Sequence, residues 1–321
     1  MDFVGKRRWF FLISLVVITA GLVSMAIPPG FRIGVEFTGG SALSVTFTEP
    51  VEQEQLRSKL SSLDHPEAVI QRLDDNMFLI RTETLEEVSV DAAGNVVGVS
   101  ERNQIEQGLS ELAALQTVEV SEVSAIVAGE TVRNAIIAVV IAALVILLYI
   151  SWAFRLVPNS FRMGSTAILA AIHDVLVVVG IFSIVGKFIN AEINAMFITG
   201  ILTVVGYSVH DTIVVFDRIR ENTIRRVSRD LATTINISIM ETLGRSLTTS
   251  MTTMFVILAL LSLGGGTILS LLLALLVGII TGTYSSIGIA SQLLITWEQG
   301  GLRGIFRRKQ AERELAPSRQ E

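Results

Sequence analysis

Six long apolar runs decide what this chain can fold into. A bilayer core of about 30 Å needs roughly 20 helical residues to cross it. Residues 9–27, 135–152 and 268–297 reach that length, or nearly so, without a charged side chain. Residues 164–185 contain one acid, Asp174, and residues 193–216 contain one acid, Asp211. Residues 242–263 contain one base, Arg245. A 321-residue water-soluble protein would hardly carry six such runs. The expected fold class is a multi-pass α-helical membrane protein with six transmembrane helices. Charged residues make up 17% of the chain, below the roughly 25% of soluble domains, so a nucleic-acid partner is not expected. The first run ends in Ser24-Met25-Ala26, which resembles a cleavage site. Its apolar stretch exceeds the roughly 7–15 residues of a signal-peptide core, so it reads as an uncleaved anchor.

Basic residues in the connecting segments set an orientation. Lys6, Arg7 and Arg8 precede the first run, and Arg155 and Arg162 lie between the second and third. Five arginines (Arg218, Arg220, Arg225, Arg226 and Arg229) lie between the fourth and fifth, and Arg303, Arg307, Arg308 and Lys309 follow the sixth. All four segments fall on one side, which the positive-inside rule makes cytoplasmic. Both termini, 1–8 and 298–321, are then expected in the cytoplasm. Residues 28–131 are expected outside. That segment is strongly acidic: residues 28–130 hold 6 basic and 18 acidic side chains.

The outside segment reads as β-α-β-β-α-β, the order of a ferredoxin-like α+β domain. Residues 41–48 form the first strand and 51–62 a helix. Residues 68–73 and 76–82 are strands joined at Asp74-Asp75-Asn76. Residues 99–116 repeat Ile105, Leu109, Leu112 and Leu115 at helical spacing, and 117–124 alternate again. The stretch 89–98 reads as a loop. Neither a Ser-His-Asp set nor a phosphate-binding glycine loop is present there. Contact with another polypeptide is the expected role, with a passive solvated cap as the alternative. Just ahead of this domain, Gly34-Val35-Glu36-Phe37-Thr38-Gly39-Gly40-Ser41 suggests a tight backbone path at the membrane surface.

The three intramembrane charges carry the chemistry. A charge at mid-bilayer costs about 2.5–3.5 kcal/mol on insertion scales, so such residues usually face the protein interior and serve a function. Asp211 lies five residues from Phe216, or about 7–8 Å into the core. Arg245 lies three residues from Thr242, at comparable depth, so the two are expected to pair if their helices are neighbours. Asp174 falls near mid-membrane. Arg245, Thr248, Thr249 and Thr252 share one helical face, with Ser246, Ser250 and Thr253 nearby. Tyr207 and Ser208 precede Asp211 by four and three residues. This polar stripe would hold waters or interhelical hydrogen bonds, and packing alone is the simpler alternative. Arginine keeps its proton, so aspartate is the titrating member of the expected pair. Protonating Asp211 would release Arg245, giving a two-state element that a proton biases.

His173 and His210 each precede an aspartate. Helix neighbours point about 100° apart, so neither is expected to pair with the acid beside it. Each reads first as a packing histidine, with a relay role as the alternative. Residues 217–241 place Ile219, Ile224, Val227, Leu231, Ile235 and Ile239 among the five arginines, as an interfacial amphipathic helix would. Gly278 and Gly282 form a GxxxG packing face. With no cysteine and three histidines, neither a disulfide nor a metal centre is expected, and no cofactor is expected beyond the proton as coupling ion.

The segment from Gly206 to Asn222 (GYSVHDTIVVFDRIREN) closely resembles the signature of the SecF family of bacterial protein-export subunits. GVEFTGGS at 34–41, His173-Asp174, and NISIMETLGRSLTTSMTT at 236–253 resemble further motifs of that family. The resemblance implies a half of a resistance-nodulation-division-type bundle, completed by SecD. It implies the bacterial cytoplasmic membrane, and work with the SecYEG channel, SecA, YajC and exported preproteins, driven by the proton-motive force. Membrane lipids surround it. Asp211 and Arg245 would take proton-pathway roles and Asp174 a supporting one, with His173, His210, Tyr207, Thr248 and Thr249 beside them. Gly34, Glu36, Phe37, Gly39, Gly40 and Gly206 would be structural. Two positions depart from the family: 210 is His where Asn is usual, and 36 is Glu where Asp is usual. His210 would place a second titratable group beside Asp211. The rival readings are a half-size exporter of lipids or drugs, with a roomy apolar pocket, and a non-catalytic assembly scaffold. An aspartyl protease using Asp174 and Asp211 fits poorly, because a Gly-x-Gly-Asp motif is absent.

Overall fold

The computed structural model describes residues 2–28, 33–85, 100–155, 160–189, 191–263 and 268–298. Its first helix, α1, spans Arg7–Ala26, and a single turn, α2, spans Val35–Thr38. The sheet domain follows as β1 (Gly40–Phe47), α3 (Gln53–Ser62), β2 (Val69–Arg72), β3 (Met77–Thr82), α4 (Glu101–Ser110) and β4 (Leu115–Val123). Five further long helical segments complete the chain: α5 (Ala125–Ala153), α6 (Ser160–Ile189), α7 (Ala195–Ile224), α8 (Leu231–Leu263) and a last one. That last segment is α9 (Leu269–Ser285), a π-helical turn (Ser286–Ala290) and α10 (Ser291–Glu298). Six of these helices are long and apolar enough to cross a membrane.

The expected ferredoxin-like order is present. The sheet runs β2-β3-β1-β4, all antiparallel, with Leu43 opposite Ile80 on one side and Val120 on the other. Alternation sends Leu43, Val45, Phe47, Ile70, Phe78 and Ile80 to one face, where they bury against Leu56 and Leu60 of α3 and Ile105 and Leu109 of α4. The expected loop at 89–98 lies outside the described residues, as does the C-terminal tail beyond 298.

The opposite face of the sheet docks on the helical bundle. Arg81 Nη2 lies 2.7 Å from Glu192 Oε1, both nearly buried. Arg81 also donates to the Ile33 carbonyl (2.9 Å), and Gly34 N donates to the Ile193 carbonyl (2.8 Å). Ile33 and Ile193 form a parallel bridge. The tight path expected at 34–41 is real: Gly39 and Gly40 have φ of +76° and +121°, which disfavours any residue with a Cβ. Glu36 and Phe37 sit half-buried on α2, which packs against α5.

In the bundle, α6, α7 and α9 form the centre, and α1, α5 and α8 surround them. Small residues set the closest approaches. Gly21 of α1 meets Gly180 of α6, where a Cβ on either would stand 2.6–2.9 Å from the other's Cα. A Cβ on Gly278 would overlap Val204 of α7, and one on Gly282 would press on Ser208, so the GxxxG face packs as expected. The helix α1 is part of this packing.

Residues 217–241 do not form a separate interfacial helix. They extend α7 to Ile224 and start α8 at Leu231, joined by a short turn. Asp230 ends that turn and caps α8, accepting from Thr233 N (3.0 Å). Ile219, Ile235 and Ile239 bury between the helices beside Phe216 instead of facing a membrane surface. Polar bonds close the hairpin: Asn222 Nδ2 donates to Ser238 (3.0 Å) and Glu241 (2.7 Å), and Arg218 Nε donates to Glu241 (2.6 Å). The helical period of the sequence was sound, but it belonged to two continuing helices.

Candidate functional site

Two buried carboxylates occupy the centre of the bundle. Asp174 on α6 is fully buried. Its Oδ2 accepts from Ser208 of α7 (2.5 Å) and Ser285 of α9 (2.6 Å). Its Oδ1 lies 2.9 Å from His173 Nδ1, and His173 Nε2 lies 2.9 Å from Ser14 Oγ on α1. Tyr284 completes the group, 3.2 Å from Ser14 Oγ and donating to the Phe10 carbonyl (2.6 Å). The expectation that His173 and Asp174 would not meet is corrected: both side chains lean into the same buried space and bond across the 100° step.

Asp211 on α7 is also buried. Its Oδ1 accepts from Ser246 of α8 (2.6 Å), and its Oδ2 from Ser286 at the start of the π turn (2.5 Å). One turn away, Tyr207 Oη lies 3.0 Å from Ser250 Oγ, which lies 2.5 Å from Thr283 Oγ1. Of the polar stripe read from the sequence, Tyr207, Ser246 and Ser250 join α7, α8 and α9.

The expected Asp211–Arg245 contact is not formed. Arg245 is exposed, and among the described residues it makes no hydrogen bond or ion pair. The reason is angular. Ser246 faces α7 beside Asp211, and Arg245 stands one residue back, about 100° round the helix. Its companions Thr248, Thr249 and Thr252 share that exposed face, with Thr248 bonded only to its own Gly244 carbonyl (2.8 Å). The buried face of α8 is Ser238, Thr242, Ser246 and Ser250. His210 is likewise exposed rather than turned toward Asp211, and Gly206, one turn before it, has open space where a Cβ would stand. Among the described residues the two carboxylates have separate hydroxyl partners, Ser208 and Ser285 for Asp174 and Ser246 and Ser286 for Asp211. Between sheet and bundle lies a cavity of about 360 Å³ whose walls include Glu36, Gln71, Arg81, Glu119 and Glu192. Val35, Leu73, Leu79, Val120, Met196 and Leu269 line it as well, so its walls are mixed.

Sequence reading missed Ser285 and Ser286, although both are fully buried and each serves a carboxylate. The available signal was Thr281-Gly-Thr-Tyr-Ser-Ser286, six small or hydroxyl-bearing residues in the middle of an apolar run. The π turn that follows is a rare backbone form, found mostly at functional sites.

The family description "Protein export membrane protein SecD/SecF, C-terminal" matches residues 104–300. The chain belongs to the SecD/SecF family. Its SecD/SecF relatives include a protein translocase subunit SecF of Thermobaculum terrenum, 43% identical over 313 residues, covering 97% of this chain and 98% of the relative. A protein translocase subunit SecDF of Bacillus subtilis is 33% identical over 92% of this chain and 38% of its own length. The crystal structure of SecDF, a translocon-associated membrane protein from Thermus thermophilus, superposes with a TM-score of 0.77 at 35% identity. It covers 93% of this chain, which spans only 39% of that SecDF chain. A SecDF structure in a super-membrane-facing form gives a TM-score of 0.63 at 34% identity. The chain is therefore a multi-pass SecD/SecF-type membrane protein with the bundle of that family.

Proposed function

We propose that this chain is the SecF-type subunit of a protein translocase, working with a SecD-type partner to drive preprotein export with the proton-motive force. SecYEG, SecA and YajC are the expected companions. The cytoplasmic membrane is the expected location, with both termini inside as the loop arginines suggest. Relatives in which SecD and SecF are one chain support the SecD partnership.

The observation that carries the proton reading is Asp211: a carboxylate buried in an apolar bundle, held by two hydroxyls and bonded to no basic side chain among the described residues. Such a group is expensive in a membrane unless it serves transport. Hydroxyls donate to the ionised form and accept from the protonated one, so the site can hold either. In this reading a partial roll of α8 exchanges Ser246 for the long side chain of Arg245 opposite Asp211. Loss of the proton draws the guanidinium in, and protonation releases it outward. A membrane potential of about 150 mV supplies about 3.5 kcal/mol per proton, enough to bias such a helix-packing equilibrium by a few hundred-fold.

Asp211→Asn and Arg245→Met, each in the full complex in proteoliposomes, should remove proton-dependent stimulation of preprotein export, by at least tenfold, and leave insertion intact. Export at the unaltered level in both variants would overturn the reading and favour an assembly scaffold.

A further inference from the structure

We propose that Ser285 and Ser286 are a pair of hydroxyl rotors that couples the protonation of Asp174 to that of Asp211. The inference rests on the reading of Asp211 as a proton site, but it concerns a different property, the linkage between two carboxylates.

Four serines donate to the two aspartates, and only two of the four have a choice. Ser208 donates to Asp174, and Ser246 to Asp211, and among the described residues neither hydroxyl has a second acceptor. Ser285 Oγ lies 2.6 Å from Asp174 Oδ2 and 3.1 Å from the Gly282 carbonyl. Ser286 Oγ lies 2.5 Å from Asp211 Oδ2 and 3.1 Å from the Thr283 carbonyl. Each therefore has a carboxylate and a main-chain carbonyl as alternative acceptors.

That choice is what a titrating carboxylate requires. Ionised, Asp211 accepts the Ser286 hydroxyl proton. When a proton arrives on Oδ2, the new O–H must donate, and Ser286 Oγ is the nearest acceptor. The serine hydroxyl proton then turns to the Thr283 carbonyl, which is already in reach. No covalent bond other than the new O–H forms, and the net change is one proton and one neutralised charge. The same exchange runs at Asp174 through Ser285 and the Gly282 carbonyl.

The two rotors hang from consecutive residues, one on each side of a single peptide unit, at the point where α9 passes into the π turn. The turn is held from beyond by Ser291 Oγ, which donates to the Ser286 carbonyl (2.8 Å), and by Gln292 Nε2, which donates to the Ile287 carbonyl (3.2 Å). A backbone shift that eases one hydroxyl off its carboxylate moves the other. Two consecutive side chains in a helix reach different neighbours, and here those neighbours are the only two acids inside the membrane runs.

The titratable and charged groups around the pair are few. His173 and Asp174 come from α6, Tyr207 and Asp211 from α7, and Tyr284 from α9 itself. Arg245 of α8 and His210 of α7 are on exposed faces, Glu298 of α10 pairs with Arg162, and α1 contributes Ser14.

The test compares two serines that serve the same carboxylate. In the full complex in lipid, the carboxyl infrared bands of Asp174 and Asp211, assigned with Asp174→Asn and Asp211→Asn, are titrated. Ser286→Ala removes a donor from Asp211 and should move its midpoint by about 1–2 pH units, while Ser286→Thr restores it. Ser285→Ala touches only Asp174 directly, yet should move the Asp211 midpoint by about half a pH unit, roughly a threefold change in proton affinity. Ser208→Ala, which removes an equivalent donor from Asp174, should leave Asp211 in place. If Ser285→Ala and Ser208→Ala affect Asp211 alike, whether both shift it or neither does, the coupling is overturned. Should Asp211→Asn retain proton-driven export, the functional reading fails, and the infrared comparison still decides the linkage.

Discussion

A buried ion and its counter-ion are worth least when separated, and Arg81 with Glu192 is the clearest case outside the bundle centre. Removing one member of a buried pair leaves an uncompensated charge, at about 3–5 kcal/mol, whereas replacing both by apolar residues is often nearly neutral. Arg81→Met should therefore lower the unfolding midpoint of the purified chain in detergent sharply, and Arg81→Met with Glu192→Leu should recover most of the loss. Equal destabilisation by the single and double variants would show that the pair contributes nothing as a pair. At this scale the sequence was read well where one residue stood out against its surroundings. Asp174 and Asp211 were the sole acids in their runs, and both proved buried and hydrogen-bonded. Ser285 and Ser286 were invisible, because small hydroxyl residues sit cheaply in membrane helices and disturb no hydropathy average. Arg245 was misplaced by one position: depth along a helix can be counted from sequence, but which of Arg245 and Ser246 faces α7 depends on a rotation set by packing.

Helices approach one another here through residues without side chains. Gly278 admits Val204 of α7 into the surface of α9, and overpacking of a filled interface costs about 1–3 kcal/mol or more. Gly278→Leu should reduce the folded fraction recovered from membranes, measured by size-exclusion profile and thermal midpoint. Gly206→Ala is the control, since an added Cβ there meets nothing within 4 Å in this chain, and it should leave both measurements unchanged. A reversed ranking would mean that the α7–α9 seam is not what holds the bundle. Periodicity gave the membrane helices and the strands and helices of the sheet domain that lie in the described residues. It failed at 217–241, where helical spacing was taken for a surface helix. The Asn222, Ser238 and Glu241 bonds that fold this stretch into a hairpin link residues 16 and 19 apart, beyond the reach of local pattern.

At the scale of the whole molecule, α8 leaves a polar stripe of Arg245, Thr248, Thr249 and Thr252 uncovered among exposed apolar residues such as Met251 and Phe255. The proposed complex would place the SecD-type partner on this face. The chain has no cysteine, so Thr249→Cys creates a unique thiol that should cross-link to a cysteine-scanned partner. Val140→Cys, on the apolar outer surface of α5, should not. Cross-linking from Val140 but not Thr249 would place the partner on the other flank.

The attachment of the sheet adds a mechanical consequence. The outer domain grips the bundle at residues 191–194, through the bonds to Glu192 and Ile193. Asn194, the next residue, caps α7 by accepting from Phe197 N (2.9 Å). Seventeen residues on, about 25 Å along a rigid rod, the same helix carries Asp211. In the proposed complex a load borne by the sheet would reach the head of a stiff lever whose far arm holds the acid, so a pull on the sheet and a proton on Asp211 would act on one shaft.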